Sequence, residues 1–247
     1  MAKAAEEPSR PVNSSTTMQS CEFDPSANFQ GDLAVSDDIP TQDILDAAAD
    51  LMVLGADGAS RPFKSLYTGE GVASRVLIVF VRHFFCGNCQ EYLRTLASSI
   101  TPDSLRSLSV PTSIAVVGCG HPDLIPMYTD ATLCPFPVYA DPSRKLYDKL
   151  GMSRTLSLGN KKPDYMRTSI LSGVLRSMVQ GVRSGAGATK GGDIKQVGGE
   201  FMFDEGKVVW CHRMKNTRDH SEIPELRGVL GLNSEPDEKP ANGISTA

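Results

Sequence analysis

Long apolar runs are absent from the sequence. The longest, residues 76–81, has six residues, whereas a membrane-spanning helix needs about 18 or more, so we expect no integral membrane segment. Heptads, Gly-x-y periods and longer internal repeats are also absent, which excludes coiled-coil, collagen-like and repeat architectures. Cysteine is scarce: six residues in 247 fall far below the roughly 8–10% typical of disulfide scaffolds. These absences leave a globular chain that is long enough to bury a core without cross-links.

Basic residues are scarce near the N terminus. Residues 1–50 hold ten acidic side chains and two basic ones, and residues 1–30 have few large apolar side chains with which to bury surface. We therefore predict a disordered acidic tail over residues 1–38 and a polar, disordered tail over residues 233–247. Because residues 1–30 lack the charged and then apolar pattern of a secretion signal, we expect a cytoplasmic protein, in which a disulfide is usually transient and catalytic.

Two short apolar runs predict the centre of the fold. Val76–Val81 and Ser113–Val117 are continuous, largely β-branched stretches, which are typical of strands buried on both faces of a sheet. Between them, apolar residues recur at helical spacing over Cys89–Ile100. The other predicted elements are helices over 39–55 and 143–150, a helical turn over 124–131, an extended segment over 136–141, a hairpin of 200–203 with 207–211, and a last helix from 221. This order predicts an α/β domain over residues 39–232, with a central mixed sheet flanked by helices.

A basic stretch, residues 151–199, precedes the predicted hairpin. It holds eight basic residues against two acidic ones, its centre at 168–180 is amphipathic, and five glycines follow between 181 and 192. We therefore predict a basic helical insertion that ends in a flexible loop. A local positive field attracts anionic ligands, but a solvated basic face explains the charge as well. A nucleic-acid partner is not expected, because the net charge is −4 and aromatic residues are not interleaved with the bases.

The chemistry is concentrated in Cys86-Gly87-Asn88-Cys89. This Cys-x-x-Cys follows a predicted buried strand and opens a predicted helix, whose free N–H groups and partial positive charge stabilise a thiolate. Cysteines in such motifs have pKa values lowered from about 8.5 to roughly 3.5–7.5. Cys86 is therefore the candidate nucleophile, and Cys89, one turn later, can close a disulfide with it. Arg82 and His83 are near enough in sequence to favour the thiolate.

Three other interpretations of the cysteine pair stay open beside the dithiol redox site. Cys86 and Cys89 with Cys119 and His121 make a set of four zinc ligands, although the spacing of the second half is unusual, and we expect no metal. The pair can also be two inert core cysteines, or a degenerate redox site that only binds a ligand. Cys119 follows the second predicted strand and is expected near the pair. We interpret the three other cysteines as packing or tail residues (Cys134, Cys211 and Cys21).

The segment Val79–Tyr92, which contains the cysteine pair, resembles the AhpC/TSA (alkyl hydroperoxide reductase/thiol-specific antioxidant) family, and within it the peroxiredoxin-like 2, or AAED-like, branch. Three further segments add to the resemblance, which covers about residues 40–232: the Phe-Pro-x-x-x-Asp type of segment at 135–142, the Gln-x-Gly-Gly element within 192–201, and the pairs His212-Arg213 and Asp219-His220. The resemblance implies a thioredoxin-like fold.

The resemblance also implies an activity. Members of the family reduce peroxides through cysteine, and the branch includes prostaglandin F synthase-like enzymes that act on an endoperoxide. This sequence lacks the Pro-x-x-x-Thr/Ser-x-x-Cys pattern of peroxiredoxins proper, and Gly198-Gly199 occupies the place of their arginine. The expected substrate is therefore an organic peroxide or endoperoxide. The expected reductant is an external thiol, thioredoxin or glutathione, with NADPH supplying electrons indirectly and no bound cofactor.

The insertion suggests where the substrate binds. We expect it to form a lid, with Arg183, Lys190, Lys195 or Arg213 pairing with a substrate carboxylate and Gly198 and Gly199 lining the site. For the acid that protonates the leaving oxygen, His83 is the first candidate and His121 the second, while His220 is expected to anchor the last helix.

Two alternative functions remain for the same fold. One is a non-catalytic binding or accessory protein, for example in small-molecule biosynthesis, and the other is a general thiol–disulfide oxidoreductase.

Overall fold

The fold is organised around one seven-stranded mixed sheet. The computed structural model describes residues 31–166 and 190–232. In chain order the strands are β1 Met52–Leu54, β2 Ser60–Pro62, β3 Arg75–Phe80, β4 Thr112–Gly118, β5 Val138–Ala140, β6 Gly199–Asp204 and β7 Lys207–Arg213. Their order across the sheet is β2-β1-β5-β4-β3-β6-β7. The helices are α1 Gln42–Ala49, α2 Gly87–Ser99, α3 Pro102–Arg106, α4 Ile125–Thr132, α5 Lys145–Lys149 and α6 Ile223–Leu230, with 3₁₀ turns at Phe63–Leu66 and Pro122–Leu124.

The predicted core strands are confirmed. β3 lies between β4, its parallel neighbour, and β6, its antiparallel neighbour. Its last five residues are buried, which explains the unbroken apolar run in the sequence. The connection from β3 through α2 to β4, followed by the β6–β7 hairpin and α6, is the thioredoxin-like fold that the resemblance implies. This topology places the start of α2 at the carboxyl end of the central strand.

Helices cover both faces of the sheet and divide the core in two. One core contains residues of α2, α4 and α6 together with the inner face of β6, among them Leu93, Tyr128, Leu226 and Met202. The other contains residues of α1 and α5 with the opposite face of the sheet, among them Leu45, Leu146, Phe80 and Phe201. Cys86 and Cys89 belong to the first core, so the candidate site lies on the α2 face.

One predicted helix is wrong in its length. The helix expected over 39–55 ends at Ala49, because residues 52–54 form β1 and pair with β2 across a tight turn. Gly58 adopts a positive φ of 74° in this turn, and the Asp57 carboxylate accepts a hydrogen bond from the Ala59 N–H. These features favour a hairpin over continuation of the helix.

The N-terminal boundary of the folded part also differs from the sequence prediction. Residues 31–38, which we placed in the tail, lie along β7. The Arg213 guanidinium donates to the carbonyl oxygens of Ser36 and Asp38, both at 2.9 Å, and the Leu33 N–H donates to the Lys215 carbonyl. These residues therefore belong with the folded domain. The other domain limits stay predictions.

Some predictions fall on residues outside the described ranges. They are the amphipathic helix at 168–180, most of the glycine-rich loop, Arg183 and the C-terminal tail at 233–247. Within residues 31–166 and 190–232, no helix combines the length and the apolar character that crossing a bilayer requires.

Candidate active site

Cys86 is the N-cap residue of α2. It lies outside the helix in extended backbone, and its Sγ accepts a hydrogen bond from the Cys89 N–H at 3.4 Å. The first N–H groups of a helix have no intrahelical acceptor, so a cysteine at this position satisfies one of them and receives partial positive charge in return. Both cysteines are buried thiols that are not joined by a disulfide. The helix end thus favours negative charge on Cys86 rather than on Cys89.

Arg82 reinforces that preference. Its Nη1 donates to Cys86 Sγ at 3.2 Å. Its other donors bind two carbonyl oxygens of the segment before β6, Gln196 O at 3.1 Å and Ile194 O at 2.5 Å. Because the guanidinium is buried and held at three points, its charge is fixed beside the sulfur rather than spread into solvent.

The two cysteines therefore have opposite acidities. Burial by itself raises the pKa of Cys86, but the hydrogen bond from the Cys89 thiol, the charge of Arg82 and the Cys89 N–H together bring it well below the usual value. Burial raises the pKa of Cys89, and the neighbouring Cys86 raises it further. Cys86 is the thiolate of the pair and Cys89 the protonated thiol, as expected for a nucleophile and a resolving partner.

A buried histidine and a buried glutamate complete the site on the Cys89 side. His220 Nε2 lies 3.5 Å from Cys89 Sγ, and its Nδ1 lies 2.6 Å from Glu200 Oε1. The imidazole stacks on the Tyr92 ring, with 4.1 Å between ring centroids and 3° between the planes. Glu200 is fully buried and His220 is 3% exposed.

Sequence reasoning missed this pair. His220 was expected to anchor the last helix, whereas its ring reaches the cysteine site from a loop 131 positions away in the chain. A signal was present for Glu200: an acid in a strand of otherwise buried residues must be paired, because an isolated buried charge is very costly. The sequence gives no direct sign of the partner, because the contact depends on how the loop before α6 folds back over the sheet.

Aromatic side chains before the motif shape the turn. The Phe84 ring occupies the space beside two glycines, where added Cβ atoms would lie 2.3 Å (Gly118) and 2.4 Å (Gly120) from ring carbons. The Phe84 carbonyl accepts a hydrogen bond from Gln90 Nε2 at 3.0 Å. Phe84 therefore serves packing, and it holds the Cys86 turn against the sheet.

The proposed acids do not fit that role. Burial lowers the pKa of His83 to about 4, in spite of the opposing effect of Cys86, so His83 is neutral at neutral pH. His121 lies at the surface, where its Nδ1 is 3.2 Å from Asp123 Oδ2. Of the histidines that we considered, His220 is the one that contacts a cysteine sulfur.

Two of the predicted carboxylate-binding residues are engaged elsewhere. The Arg213 guanidinium is buried, stacks over the Phe201 ring on the opposite face of the sheet, and donates to the Leu150 carbonyl, so this expectation is wrong and Arg213 holds residues 31–38 in place. Lys190 Nζ binds Asp123 at 2.7 Å on the surface. Lys195 is exposed, and its N–H donates to the Asp193 carboxylate. Arg183 lies outside the described residues.

Gly198 and Gly199 are close-packing positions rather than ligand contacts. A Cβ on Gly198 would lie 1.8 Å from the Phe80 carbonyl oxygen, and one on Gly199 would lie 2.4 Å from the His212 carbonyl oxygen. The segment before β6 can therefore press against the end of β3 only without side chains at these positions. This approach brings the carbonyls that hold Arg82 within its reach.

Cys119 lies apart from the dithiol. It belongs to the core on the other face of the sheet, and burial raises its pKa to about 12, which makes it an unreactive thiol at neutral pH. Because Cys119 and the Cys86–Cys89 pair face opposite sides, the zinc set considered from the sequence does not converge. In the described ranges, no cluster of three or more His, Cys, Asp or Glu side chains is arranged to hold a metal ion.

Known proteins resemble this chain in sequence. The model of a family described as AhpC/TSA antioxidant enzyme matches residues 95–216, a stretch that begins after Cys89. Peroxiredoxin-like 2C of Homo sapiens is 31% identical over 193 residues, which cover 77% of this chain and 82% of the relative. Its Mus musculus counterpart is 32% identical over 194 residues, with the same coverages. Among solved structures, a peroxiredoxin-like protein from Aquifex aeolicus aligns with a TM-score of 0.45 and 14% identity over 81% of this chain and 88% of its own.

Proposed function

Because the chain belongs to the AhpC/TSA antioxidant-enzyme family, in its peroxiredoxin-like 2 branch, we propose that it reduces an organic peroxide or endoperoxide through a Cys86–Cys89 dithiol cycle. The family supports a thiol redox function as such. The observation that carries the finer proposal is the arrangement around Cys86, whose sulfur receives hydrogen bonds from Arg82 Nη1 and the Cys89 N–H. A thiolate held in this way is a prepared nucleophile.

The first half of the cycle is oxidation of Cys86. The thiolate attacks one oxygen of the peroxide, the O–O bond breaks, and the leaving alkoxide takes a proton to become an alcohol. Cys86 is left as a sulfenic acid, or as a sulfenate ester when the substrate is an endoperoxide. Arg82 also stabilises the negative charge that develops on the oxygens, because its Nη1 points at the reacting sulfur.

The second half of the cycle forms and then removes a disulfide. The Cys89 sulfur attacks the oxidised Cys86 sulfur, the S–O bond breaks, and water or an alcohol leaves. We propose that an external thiol, thioredoxin or glutathione supplied by NADPH, then reduces the Cys86–Cys89 disulfide in the cytoplasm. No bound cofactor takes part in this scheme.

The surroundings of Cys86 favour a small, partly apolar oxidant. Cys86 is 3% exposed, so a protein disulfide reaches it only after a local rearrangement. The adjacent core is aromatic and includes Phe84, Phe85 and Tyr128. An organic peroxide suits these surroundings better than a bulky protein partner, and this distinguishes the proposal from a general thiol–disulfide oxidoreductase.

The test is peroxide reduction by the wild-type protein and by Cys86→Ser, with thioredoxin or glutathione and NADPH oxidation as the readout. We expect turnover with an organic hydroperoxide or an endoperoxide, and its complete loss in Cys86→Ser, because serine is a far weaker nucleophile. Cys134→Ser is the matched control, since Cys134 is a buried cysteine of the same core whose Sγ contacts the Phe136 carbonyl instead.

Mass spectrometry provides a second measurement on the same samples. After one equivalent of peroxide, the wild-type protein is expected to lose two hydrogens, and the change maps to Cys86 and Cys89. Peroxide turnover that persists in Cys86→Ser, or a wild-type protein that reduces only a disulfide substrate, contradicts the proposal.

A further inference from the structure

Cys89, His220 and Glu200 form a continuous buried chain of polar groups. The Cys89 sulfur lies 3.5 Å from His220 Nε2, and His220 Nδ1 lies 2.6 Å from Glu200 Oε1. All three side chains are at least 97% buried. An acid, an imidazole and a thiol thus follow one another in hydrogen-bonding order, away from the Arg82 side of the site.

The hydrogen bonds between these three side chains have a fixed direction. A carboxylate accepts hydrogen bonds and donates none, so Glu200 requires the proton of the imidazole to be on Nδ1. The lone pair of a neutral His220 is then on Nε2, which faces the Cys89 thiol. The second carboxylate oxygen faces the Ser221 N–H and Oγ, both at 3.4 Å. The ring plane is fixed by its stacking on Tyr92.

We propose that His220 is a catalytic base that takes the proton of the Cys89 thiol when Cys89 attacks oxidised Cys86, and that Glu200 is the positioning residue that holds the imidazole in the required tautomer. This inference rests on the proposed dithiol cycle, to which it adds the residue that makes the buried resolving cysteine reactive. Without such a base, the Cys89 thiol stays protonated, because burial raises its pKa.

The step balances without a further reactant. As the Cys89 sulfur forms a bond to the sulfur of the Cys86 sulfenic acid, its proton moves to His220 Nε2. The Cys86 S–O bond breaks, and hydroxide leaves with its electron pair and takes a proton from solvent to become water. His220 gives its proton to solvent and returns to the neutral form, and the disulfide is the oxidised product. When the external thiol attacks Cys86 and reduces the disulfide, Cys89 leaves as a thiolate and takes a proton from protonated His220.

A route for the proton to solvent lies beside the imidazole. A pocket of about 260 Å³ is lined by His220 together with His212, Asp219 and Glu222. Several titratable groups face His220 from the elements packed around it: Tyr92 and Cys89 of α2, Glu200 of β6, and Tyr165, whose Oη accepts from the His220 N–H. His212 of β7 lies near Glu200 in register. Any pH profile of this step reports on the whole group.

The experiment separates the two halves of the cycle in a single turnover. One equivalent of organic hydroperoxide is mixed with reduced protein. Sulfenic acid at Cys86 is measured by trapping with a dimedone reagent, and the disulfide is measured by mass spectrometry. In His220→Asn we expect sulfenic acid to form at the wild-type rate and disulfide formation to slow by about 100-fold or more, the usual effect of losing a general base.

His121→Asn is the matched control for this variant. His121 is also a histidine with an acidic partner, but it lies at the surface, where its ring pairs with Asp123 and not with a cysteine. We expect it to form the disulfide at the wild-type rate. A His220→Asn protein that is folded, as judged by circular dichroism, and that resolves as fast as wild type overturns the inference.

Glu200→Gln tests the positioning role, and it carries the test if His220→Asn does not fold. A neutral amide no longer fixes the proton on Nδ1, so we expect slower disulfide formation and a displaced pH profile for that step, with unchanged sulfenic acid formation. Glu200→Asp, which keeps the carboxylate, is expected to recover part of the rate. A Glu200→Gln protein with the wild-type rate and pH profile contradicts the assignment. A wild-type protein that never oxidises Cys86 contradicts the proposed function instead, so the two failures are distinguishable.

Discussion

The charged groups beside the two cysteines of the Cys-x-x-Cys turn differ. Cys86 faces a buried arginine and the start of a helix, both of which favour negative charge. Cys89 faces a histidine that is backed by a buried carboxylate. The same residue type, three positions apart, is therefore a thiolate on one side and a protonated thiol beside a base on the other. Identical chemistry in the sequence acquires different functions because the two sulfurs lie on opposite sides of one helix end.

On the Cys86 side of the turn, the largest effect after loss of Cys86 itself is expected from Arg82→Met. Removing the guanidinium removes a charge and a hydrogen bond from Cys86, so the pKa of Cys86 rises and less thiolate is present at neutral pH. Each unit by which the pKa rises above the pH reduces the thiolate fraction about tenfold. We expect Cys86 oxidation at pH 7 to slow by about 10-fold to 100-fold, while the Cys89 resolution step is unchanged.

The measurement for Arg82→Met is a pH titration of the thiolate by its ultraviolet absorbance, together with the rate of sulfenic acid formation. Arg106→Met is the control, because Arg106 is exposed and pairs only with Asp103 of its own helix turn among the contacts observed in the described residues. If Arg82→Met leaves the titration of Cys86 where it is in wild type, the contrast between the two sides of the turn does not originate from Arg82.

The protonation of a second histidine, His212, is expected to have a smaller effect, on the stability of the fold rather than on the reaction. Burial tends to lower the pKa of His212, but the hydrogen bonds to Asp219 and the charge of Glu200 outweigh it and raise the pKa to about 9. The folded protein thus holds this proton more tightly than the unfolded chain, in which the pKa is about 6.5. The resulting stabilisation is fully present below pH 6.5 and is lost as the pH rises through about 9.

Urea unfolding of wild type and His212→Gln across this pH range checks the prediction. Since other groups also change their charge over this pH range, the difference between the two proteins is the informative quantity. We expect the wild-type advantage to be largest near pH 6 and to shrink toward pH 9 and above. A difference that is constant with pH means that His212 is not held protonated by its acidic neighbours.

The local half of the site was predictable from the sequence, and the distant half was not. Arg82, Cys86 and Cys89 lie within one strand–turn–helix unit, so their proximity follows from the predicted elements alone. Glu200 and His220 reach the site through the antiparallel pairing of β6 with β3 and through a loop that folds back over the sheet. The apolar patterns predicted that a hairpin exists there but not which side chains it would place beside Cys89.

The prediction that Arg213 contacts the substrate was wrong because of an irregularity in the pairing of two strands. Strand residues alternate between the two faces of a sheet, but the register of β6 with β7 shifts between Met202 and Phe203. Val208 and Cys211, three residues apart, therefore lie in the same core, and Arg213 follows them to the face that does not hold the dithiol. Its positive charge, together with that of the basic insertion, suggested a contact with a substrate carboxylate, whereas the bulge sends the side chain away from the site.

The smallest effect is expected from His83→Gln, although His83 was the first candidate for the acid. Burial lowers its pKa to about 4, so at pH 7 it carries no proton that it can readily give to a leaving alkoxide. We expect the rate of Cys86 oxidation to change by less than about fivefold, well below the effect of removing a general acid. The check is sulfenic acid formation at pH 7, with Arg82→Met measured alongside. A loss of about 100-fold or more would make His83 a proton donor in spite of its burial. Each side of the turn would then have its own proton-transfer residue, His83 beside Cys86 and His220 beside Cys89.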